Sequence, residues 1–147
     1  MNHLSEDVRV LKVKDASVAG QTAINSDAVD VSGYEGCMFV VNAEAITAGG
    51  AQSIKVQQDA ASNMASAADL AGTSVTIADD DDNQLFYVDV KRPRERYLRL
   101  VVSRATQNSA FGPIYAILYG PRKKPVANNV TDTMTGEKYE GPAEGTA

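Results

Sequence analysis

The 147-residue sequence has few of the residues from which catalytic and metal sites are commonly built. Cys37 is the only cysteine, His3 is the only histidine, and tryptophan is absent. One cysteine excludes an internal disulfide and a cysteine-based zinc cluster, and one histidine excludes a site that needs several imidazoles. Cys37 lies in the apolar run GCMFVV, so we expect a small buried side chain there rather than a reactive thiol.

Long apolar runs are also missing. No stretch approaches the ~20 apolar residues that a membrane-spanning helix needs. The opening MNHLSEDVRV has acidic groups where a signal peptide carries basic ones. We therefore expect no membrane partner, and synthesis in the cytoplasm without a cleaved leader. The apolar share of 44% is ordinary for a globular chain, and the length fits one domain.

The motifs of common enzymes are absent as well. The sequence has neither the phosphate-binding loop GxxxxGK[ST] nor the nucleophile elbow GxSxG. Its one concentration of carboxylates, Asp79–Asp82, is interpreted as a solvated turn, with calcium binding as the alternative. The run lacks the glycine and the glutamate that an EF-hand loop requires. The chain is thus predicted not to be an enzyme and to need no cofactor and no metal.

Alternation of apolar and polar residues is the dominant pattern in the chain. It predicts about eight short strands and therefore an all-β fold. Such a set of strands favours an antiparallel sandwich or barrel, and we predict the eight-stranded form, an antiparallel two-sheet sandwich of jelly-roll type. The stretch 60–72 is rich in alanine but weakly patterned, which predicts a loop. Gly112-Pro113 predicts that the last strand begins at an edge or at a bulge. The predicted strands are residues 7–13, 27–33, 36–44, 53–59, 73–78, 84–90, 97–103 and 112–119.

Two of these strands are apolar on both faces. In GCMFVV and PIYAILY, the residues that alternate with the inward set are themselves apolar or aromatic. A strand of a two-sheet sandwich normally exposes one face to water, so the second face here must be covered. A loop and a subunit interface both stay open as the cover. The candidate contact residues are Met38, Val40, Tyr115, Ile117 and Tyr119.

The net charge of −5 conceals a strong segregation of charge. Residues 1–90 carry a net −10, residues 91–124 a net +8, and residues 125–147 a net −3. Such segregation favours contact with an acidic protein surface, including a second copy of the chain. The basic stretch includes Lys91, Arg92, Arg94, Arg96, Arg99 and Arg104.

Nucleic acid is not expected as a partner of this basic stretch. Tyr97 is the one aromatic residue among its charges, whereas a surface that stacks bases presents several. The acidic part of a compact domain would also lie close by and weaken the attraction of a polyanion. Arg92, Arg94, Arg96 and Arg99 are instead candidates for protein contact.

The composition changes abruptly after Gly120. Residues 121–147 hold three of the five prolines and few large apolar groups, so this segment cannot bury enough surface to fold alone. We predict a β domain over residues 1–120 and an extended C-terminal arm over residues 121–147. The candidate partner-binding residues of the arm are Pro121, Arg122, Lys123, Lys124, Pro125 and Tyr139.

The second half of the sequence carries a family resemblance. The stretch RYLRLVVSRATQNSAFGPIYAILYGPRKKPV and the ending GEKYEGPAEGTA resemble the small capsid cement proteins of tailed bacteriophages, the group typified by the cement protein of a Bordetella phage. The upstream stretch IKVQQDAASNMASAADLAGTSVTIADDDDNQLFYVDVKRPRERYLRL is similar to that group too. The resemblance spans about residues 30–147 and is most specific at YGPRKKP and PAEGTA.

The resemblance implies a jelly-roll-like sandwich on the outside of an icosahedral capsid. Such decoration proteins clamp neighbouring major capsid subunits and act as homo-oligomers. The expected partners are therefore the major capsid protein and other copies of the chain, as a dimer or trimer, and the expected location is the virion exterior. The basic root of the arm would then meet acidic capsid loops. The resemblance implies no catalytic residues.

Two other functions stay open. A jelly-roll domain on a phage particle is also suited to recognising a carbohydrate or a receptor. The absence of tryptophan counts against a carbohydrate site, and most tyrosines lie in predicted strands. A nucleic-acid-binding accessory protein is the other alternative, and it predicts DNA retention that falls steeply with salt.

Overall fold

The computed structural model describes residues 2–128 and 134–146. The described chain is nearly all β, with one short helix near its start. The elements are α1 (Leu4–Asp7), β1 (Arg9–Lys14), β2 (Ser17–Gly20), β3 (Ile24–Asn25), β4 (Val29–Asp30), β5 (Gly36–Ile46), β6 (Ala51–Asp59), β7 (Ala68–Asp69), β8 (Val75–Ile77), β9 (Leu85–Lys91), β10 (Tyr97–Ala105) and β11 (Ser109–Tyr119).

The strands form two antiparallel sheets. Sheet A has the order β1-β11-β5-β9, with β2 also paired to β11. Sheet B has β10 and β6 at its centre, with β3 and β4 on β10 and with β7 and β8 on β6. Strands β1 and β2 both pair with β11, β3 and β4 both pair with β10, and β7 and β8 both pair with β6. If each of these pairs is counted as one position, the strands occupy the eight positions of a jelly roll, four in each sheet. The predicted antiparallel two-sheet sandwich of jelly-roll type is confirmed.

The core lies between the sheets and is built from the inward-facing set of each strand. Cys37, Phe39 and Val41 of β5 are buried, and so are Leu98 and Leu100 of β10. Burying one such side chain stabilises the fold by about 1.5–3 kcal/mol. The alternation in the sequence therefore predicted the inward faces of β5, β6, β9, β10 and β11 correctly.

The last strand begins earlier in the sequence and lies elsewhere in the sheet than predicted, but it does contain the predicted bulge. The expectation that it begins at Gly112-Pro113 on an edge is wrong, because β11 begins at Ser109 and lies between β1 and β5. Its register with β5 shifts between Phe111 and Ile114, which is the predicted bulge. Proline has no N–H to donate to a neighbouring strand. A bulge accommodates Pro113 inside a central strand because a residue in a bulge is left unpaired.

Several of the short elements were not predicted. Strands β2 and β3 lie outside the predicted runs, and helix α1 overlaps the first run only at Asp7. The stretch 60–72 is a loop as expected, except that β7 pairs with β6. No described helix is long and apolar enough to cross a membrane.

The chain leaves β11 at Gly120 and returns along its own N-terminal segment. The N–H of Val126 donates to the carbonyl of Glu6 over 2.9 Å. Residues 134–146 contain no helix or strand. The division into a domain over residues 1–120 and an arm over residues 121–147 stays a prediction, and residues 129–133 and 147 of that arm lie outside the described residues.

Candidate functional site

The outer face of sheet A carries a continuous group of apolar side chains. Strand register places Tyr115 opposite Val40, with Tyr87 opposite Val40 on its other side. In the next row, Ile117 lies between Val10 and Met38. We call this group the apolar face; it comprises Val10, Met38, Val40, Leu85, Tyr87, Tyr115 and Ile117.

Much of the apolar face is open to solvent. Leu85 is 62% exposed, Tyr87 is 63% exposed and Tyr115 is 40% exposed, while Met38, Val40 and Ile117 are half-buried. The described residues therefore do not bury this face under a loop. A contiguous exposed apolar surface of this kind commonly marks an interaction site. The structure brings four predicted contact residues together here: Met38, Val40, Tyr115 and Ile117.

The outer face of sheet B has the opposite character. The guanidinium of Arg99 donates to the side-chain oxygen of Gln57 over 2.8 Å. Beside this pair, Lys55 and Asp69 form an ion pair at 2.8 Å. These groups suit a face in contact with water. Arg99, predicted as a contact residue, thus lies on the sheet opposite to the apolar face.

Tyr119 borders the apolar face but is tied to its own sheet. Its hydroxyl donates to the carboxylate of Asp89 over 2.7 Å. Burial, with help from this bond, raises the pKa of the Tyr119 hydroxyl. Cys37 lies behind the sheet, where burial raises the pKa of its thiol to about 12. The expectation of an inert buried cysteine agrees with this environment.

The loop after β9 forms a basic end of the sandwich. Arg92, Arg94 and Arg96 all lie in this loop and are exposed. Lys91 and Arg92 approach one oxygen of Glu35 at 3.4 Å and 3.8 Å.

One of these arginines, Arg96, is bound to a carboxylate of its own chain. Arg96 donates three hydrogen bonds to the carboxylate of Asp30, the shortest at 2.7 Å. These bonds hold the pKa of Asp30 down to about 2. Arg92 and Arg94 therefore remain the more available cations of this end.

A groove of about 640 Å³ opens at the same end. Tyr34, Glu35, Arg92, Arg96 and Arg122 contribute to its wall. Both charge signs are present, so the groove has the polar groups to orient a hydrophilic ligand.

The cations of the basic stretch lie on different parts of the structure. They are divided between the end loop, the outer face of sheet B and a structural position held by Arg104. That guanidinium donates to the carbonyls of Thr22, Val18 and Ser109 at 2.7, 2.8 and 2.6 Å. Burial lowers the pKa of Arg104. Its neighbours in the sequence gave no sign of this role, because all three carbonyls come from other strands or loops.

The first part of the predicted arm makes specific contacts with its own chain. The ammonium group of Lys124 pairs with Asp7 at 2.7 Å, and the N–H of Arg122 donates to the carbonyl of Gly33 over 2.8 Å. Lys123 and Pro125 are exposed, Pro121 is half-buried, and Tyr139 is 70% exposed. Lys124 is therefore less available to a partner than its place in the triplet suggested.

The side chain of Asn128 closes the outer edge of β1. Its oxygen accepts from the N–H of Val10 over 3.0 Å, and its nitrogen donates to the carbonyls of Ser5 and Val8. Further along, Lys138 pairs with Glu6 at 2.8 Å and lowers the pKa of that carboxyl. Sequence reasoning missed Asn128, since a lone asparagine in a polar segment has no distinctive pattern.

Carboxylates of the acidic run Asp79–Asp82 accept hydrogen bonds from nearby backbone N–H groups. Asp79 and Asp82 accept from the N–H groups of Gly49 and Ile46, and Asp81 accepts from the N–H of Ala78. Through these bonds the turn is joined to the end of β5 and to the connection between β5 and β6. In residues 2–128 and 134–146, no group of three or more His, Cys, Asp or Glu side chains is placed to hold a metal.

Comparison with known proteins adds no assignment. No protein-family model and no curated protein matches the chain.

Proposed function

We propose that this chain is a structural virion protein. In this proposal it binds the outer surface of an icosahedral phage capsid and cements neighbouring major capsid subunits. The observation that carries the proposal is the apolar face, with Leu85, Tyr87 and Tyr115 exposed on a regular sheet. Tyrosine and large aliphatic groups are typical of the buried centre of protein interfaces. The resemblance to phage cement proteins supplies the identity of the partner.

The architecture suits a mechanical role. The apolar face lies on strands with a buried apolar core behind them, so docking would need little reordering of the sheet. The basic end, with Arg92 and Arg94, would meet acidic loops of the shell. Several copies acting together on a repeating lattice would gain affinity from many modest contacts. The homo-oligomer, as a dimer or trimer, is part of this proposal.

Co-sedimentation with capsids tests the proposal. Expanded capsids that lack the protein are mixed with the purified chain, and bound protein is measured in the pellet. Tyr115→Glu places a charge at the centre of the apolar face and is expected to reduce binding strongly. Thr76→Glu is the matched control, because Thr76 is exposed on a strand of sheet B. Wild-type binding by the Tyr115 variant would contradict a role for this face.

A second function is favoured by the groove at the basic end. A binding module for a carbohydrate or a receptor would use the charged and aromatic wall that includes Tyr34, Glu35 and Arg92. A glycan-binding screen with wild type and Arg92→Ala tests this function. Saturable glycan binding that the variant loses would favour the module over the cement protein. In a parallel assay, DNA retention at low salt would instead support the hypothesis that the chain is a nucleic-acid-binding accessory protein.

A further inference from the structure

Strand β9 presents a free edge of sheet A. It pairs with β5 from Gly36↔Lys91 to Asn42↔Leu85 without a register shift. On its other side no hydrogen bond from the described residues reaches its backbone. The strand is seven residues long and contains neither proline nor glycine. It is therefore a regular, uninterrupted template for another strand.

The direction of the free backbone groups follows from the ladder with β5. The N–H of Ala43 donates to the carbonyl of Gln84, and the N–H of Arg92 donates to the carbonyl of Glu35. Even-numbered residues thus direct their backbone groups towards β5, because N–H and C=O alternate in direction along a strand. The odd-numbered residues direct theirs away from the sheet; they are Leu85, Tyr87, Asp89 and Lys91.

The opposite edge of sheet A is protected. Asn128 occupies the N–H of Val10, and the carbonyl of Val13 accepts from the N–H of Asp27. The register of β1 also shifts between Lys12 and Lys14, and both side chains are charged. Bulges and lysines are common means by which proteins prevent edge pairing.

The edges of sheet B are short. On one side are β3 and β4, with two residues each, and on the other are β7 and β8, with two and three. Short strands offer a partner few consecutive bonds. Among the described strands, β9 alone combines length, regularity and an unprotected edge.

We propose that β9 pairs antiparallel with β9 of a second copy around a two-fold axis at Val88. In this register Leu85 faces Lys91 of the other copy, and Tyr87 faces its Asp89. All four outward-directed residues then exchange two hydrogen bonds each with their partners, about eight bonds in total. A shift by two residues towards Lys91 would place Asp89 directly opposite its own copy, where like charges repel.

The pairing extends the apolar face. Leu85 and Tyr87 are its most exposed members and lie at the edge where the two copies would meet. Two five-stranded sheets would become one continuous sheet, with the apolar residues of both copies on a common side. This inference deepens the proposed function, since it names the contact that forms the homo-oligomer. It can nevertheless be tested without any capsid.

The experiment measures self-association of the purified full-length chain by light scattering and analytical ultracentrifugation. The wild type is expected to be a dimer. Tyr87→Pro removes an outward N–H that the fold itself does not use, and proline is tolerated at such edge positions. We expect the dimer dissociation constant to rise about tenfold or more in this variant, because the change occurs twice per dimer. Tyr87→Phe is the matched control and is expected to remain dimeric.

A second variant and an independent measurement distinguish the loss of the contact between copies from misfolding of a variant. Tyr87→Lys keeps the backbone donor but adds a charge to the edge, and it should also weaken the dimer. Hydrogen exchange on the wild type should show protected amides at Tyr87 and Asp89, and this protection should fall on dilution. Circular dichroism establishes whether each variant retains the sheet.

Several results would overturn the proposal. A wild-type monomer at all concentrations, a trimer, or a dimer whose Tyr87 and Asp89 amides exchange freely would each exclude this contact. So would a folded Tyr87→Pro variant that dimerises normally. A monomeric wild type whose Tyr87→Pro variant fails to bind capsids would assign the edge to a capsid strand instead. Dimerisation without capsid binding would retain this inference and contradict the proposed function.

Discussion

The side chain of Tyr119 crosses over Gly36, and its hydroxyl donates a hydrogen bond to the carboxylate of Asp89. This one side chain of β11 therefore connects the three adjacent strands β11, β5 and β9 of sheet A. The ring occupies the space that a side chain at Gly36 would need. Glycine is required at this position by close approach and not by an unusual backbone angle.

Gly36→Ala is therefore expected to destabilise the protein. The new methyl group overlaps the Tyr119 ring, which must move and lose its bond to Asp89. We expect the free energy of unfolding to fall by about 1–3 kcal/mol, measured by chemical denaturation. Gly145→Ala is the control, since a methyl group there meets open space and should leave stability unchanged. An unchanged midpoint for Gly36→Ala would show that the ring relocates at no cost.

Arg104 supports the junction of several strands through its three carbonyl contacts. Arg104→Ala leaves those carbonyls without their donor, and the expected loss is about 2–4 kcal/mol in denaturant unfolding. Arg104→Lys should recover only part of this loss, because one ammonium group cannot reproduce the geometry of the guanidinium. Arg94→Ala, at an exposed position with no side-chain bond among the described residues, should behave as the wild type. Full recovery by lysine would argue that charge alone matters.

Asn128 is expected to stabilise the edge of β1. Asn128→Ala removes three hydrogen bonds, of which those to Val10 and Val8 are partly shielded from water, at a cost of about 1–2 kcal/mol. Hydrogen exchange at the Val10 amide should accelerate, because its acceptor is gone. Asn25→Ala, at an exposed side chain without a hydrogen bond to any described residue, serves as the control. Unchanged exchange at Val10 would mean that the segment after Gly120 does not hold this edge in solution.

Acid should weaken the protein partly through Asp30. The pKa of this carboxyl is lowered from 3.8 to about 2 by Arg96, so its stabilising contribution is present above about pH 4 and is lost as the pH falls towards 2. Asp30 and Arg96 are 39% and 57% exposed, and solvent screening limits the contribution to about 1 kcal/mol or less. Asp30→Asn should flatten the pH dependence of stability in this window, measured by thermal unfolding. Glu144→Gln, at an exposed residue of the C-terminal segment, should leave the profile unaltered.

The predicted arm can be divided by truncation. Ending the chain after Asn128 keeps the cover of β1 and should leave the β domain as stable as the wild type. Ending it after Gly120 should leave a folded but less stable domain, by circular dichroism. If the arm contributes to capsid attachment, both truncations should reduce co-sedimentation. Undiminished attachment of the protein truncated after Gly120 would exclude a role for the arm.

The sequence predicted the parts of the fold that depend on local alternation. A residue such as Leu100 or Phe39 is buried because every second position of its strand faces the other sheet, and this period is visible without the structure. The apolar second face of β5 and β11 was visible for the same reason. The jelly-roll class followed from the number and spacing of the strands.

The parts that depend on distant contacts could not be predicted in this way. Strands β2, β3 and β7 are too short for a period, and they exist because longer neighbours pair with them. Arg104 and Asn128 owe their roles to carbonyl and amide groups far away in the sequence. The free edge of β9 also required knowledge of strand order, since the alternation of its residues resembles that of any half-buried strand.

The position of β11 has a consequence for the order of events during synthesis. This strand occupies the middle of sheet A, between β1 and β5, yet it is the last of the described strands to leave the ribosome. Contacts that join distant parts of a chain form late and slowly. Sheet A and the surface that it presents can therefore be completed only after residue 119 has been made. If assembly uses the apolar face as proposed, a nascent chain would be unable to present that face to finished copies before Tyr115 and Ile117 of β11 are in place.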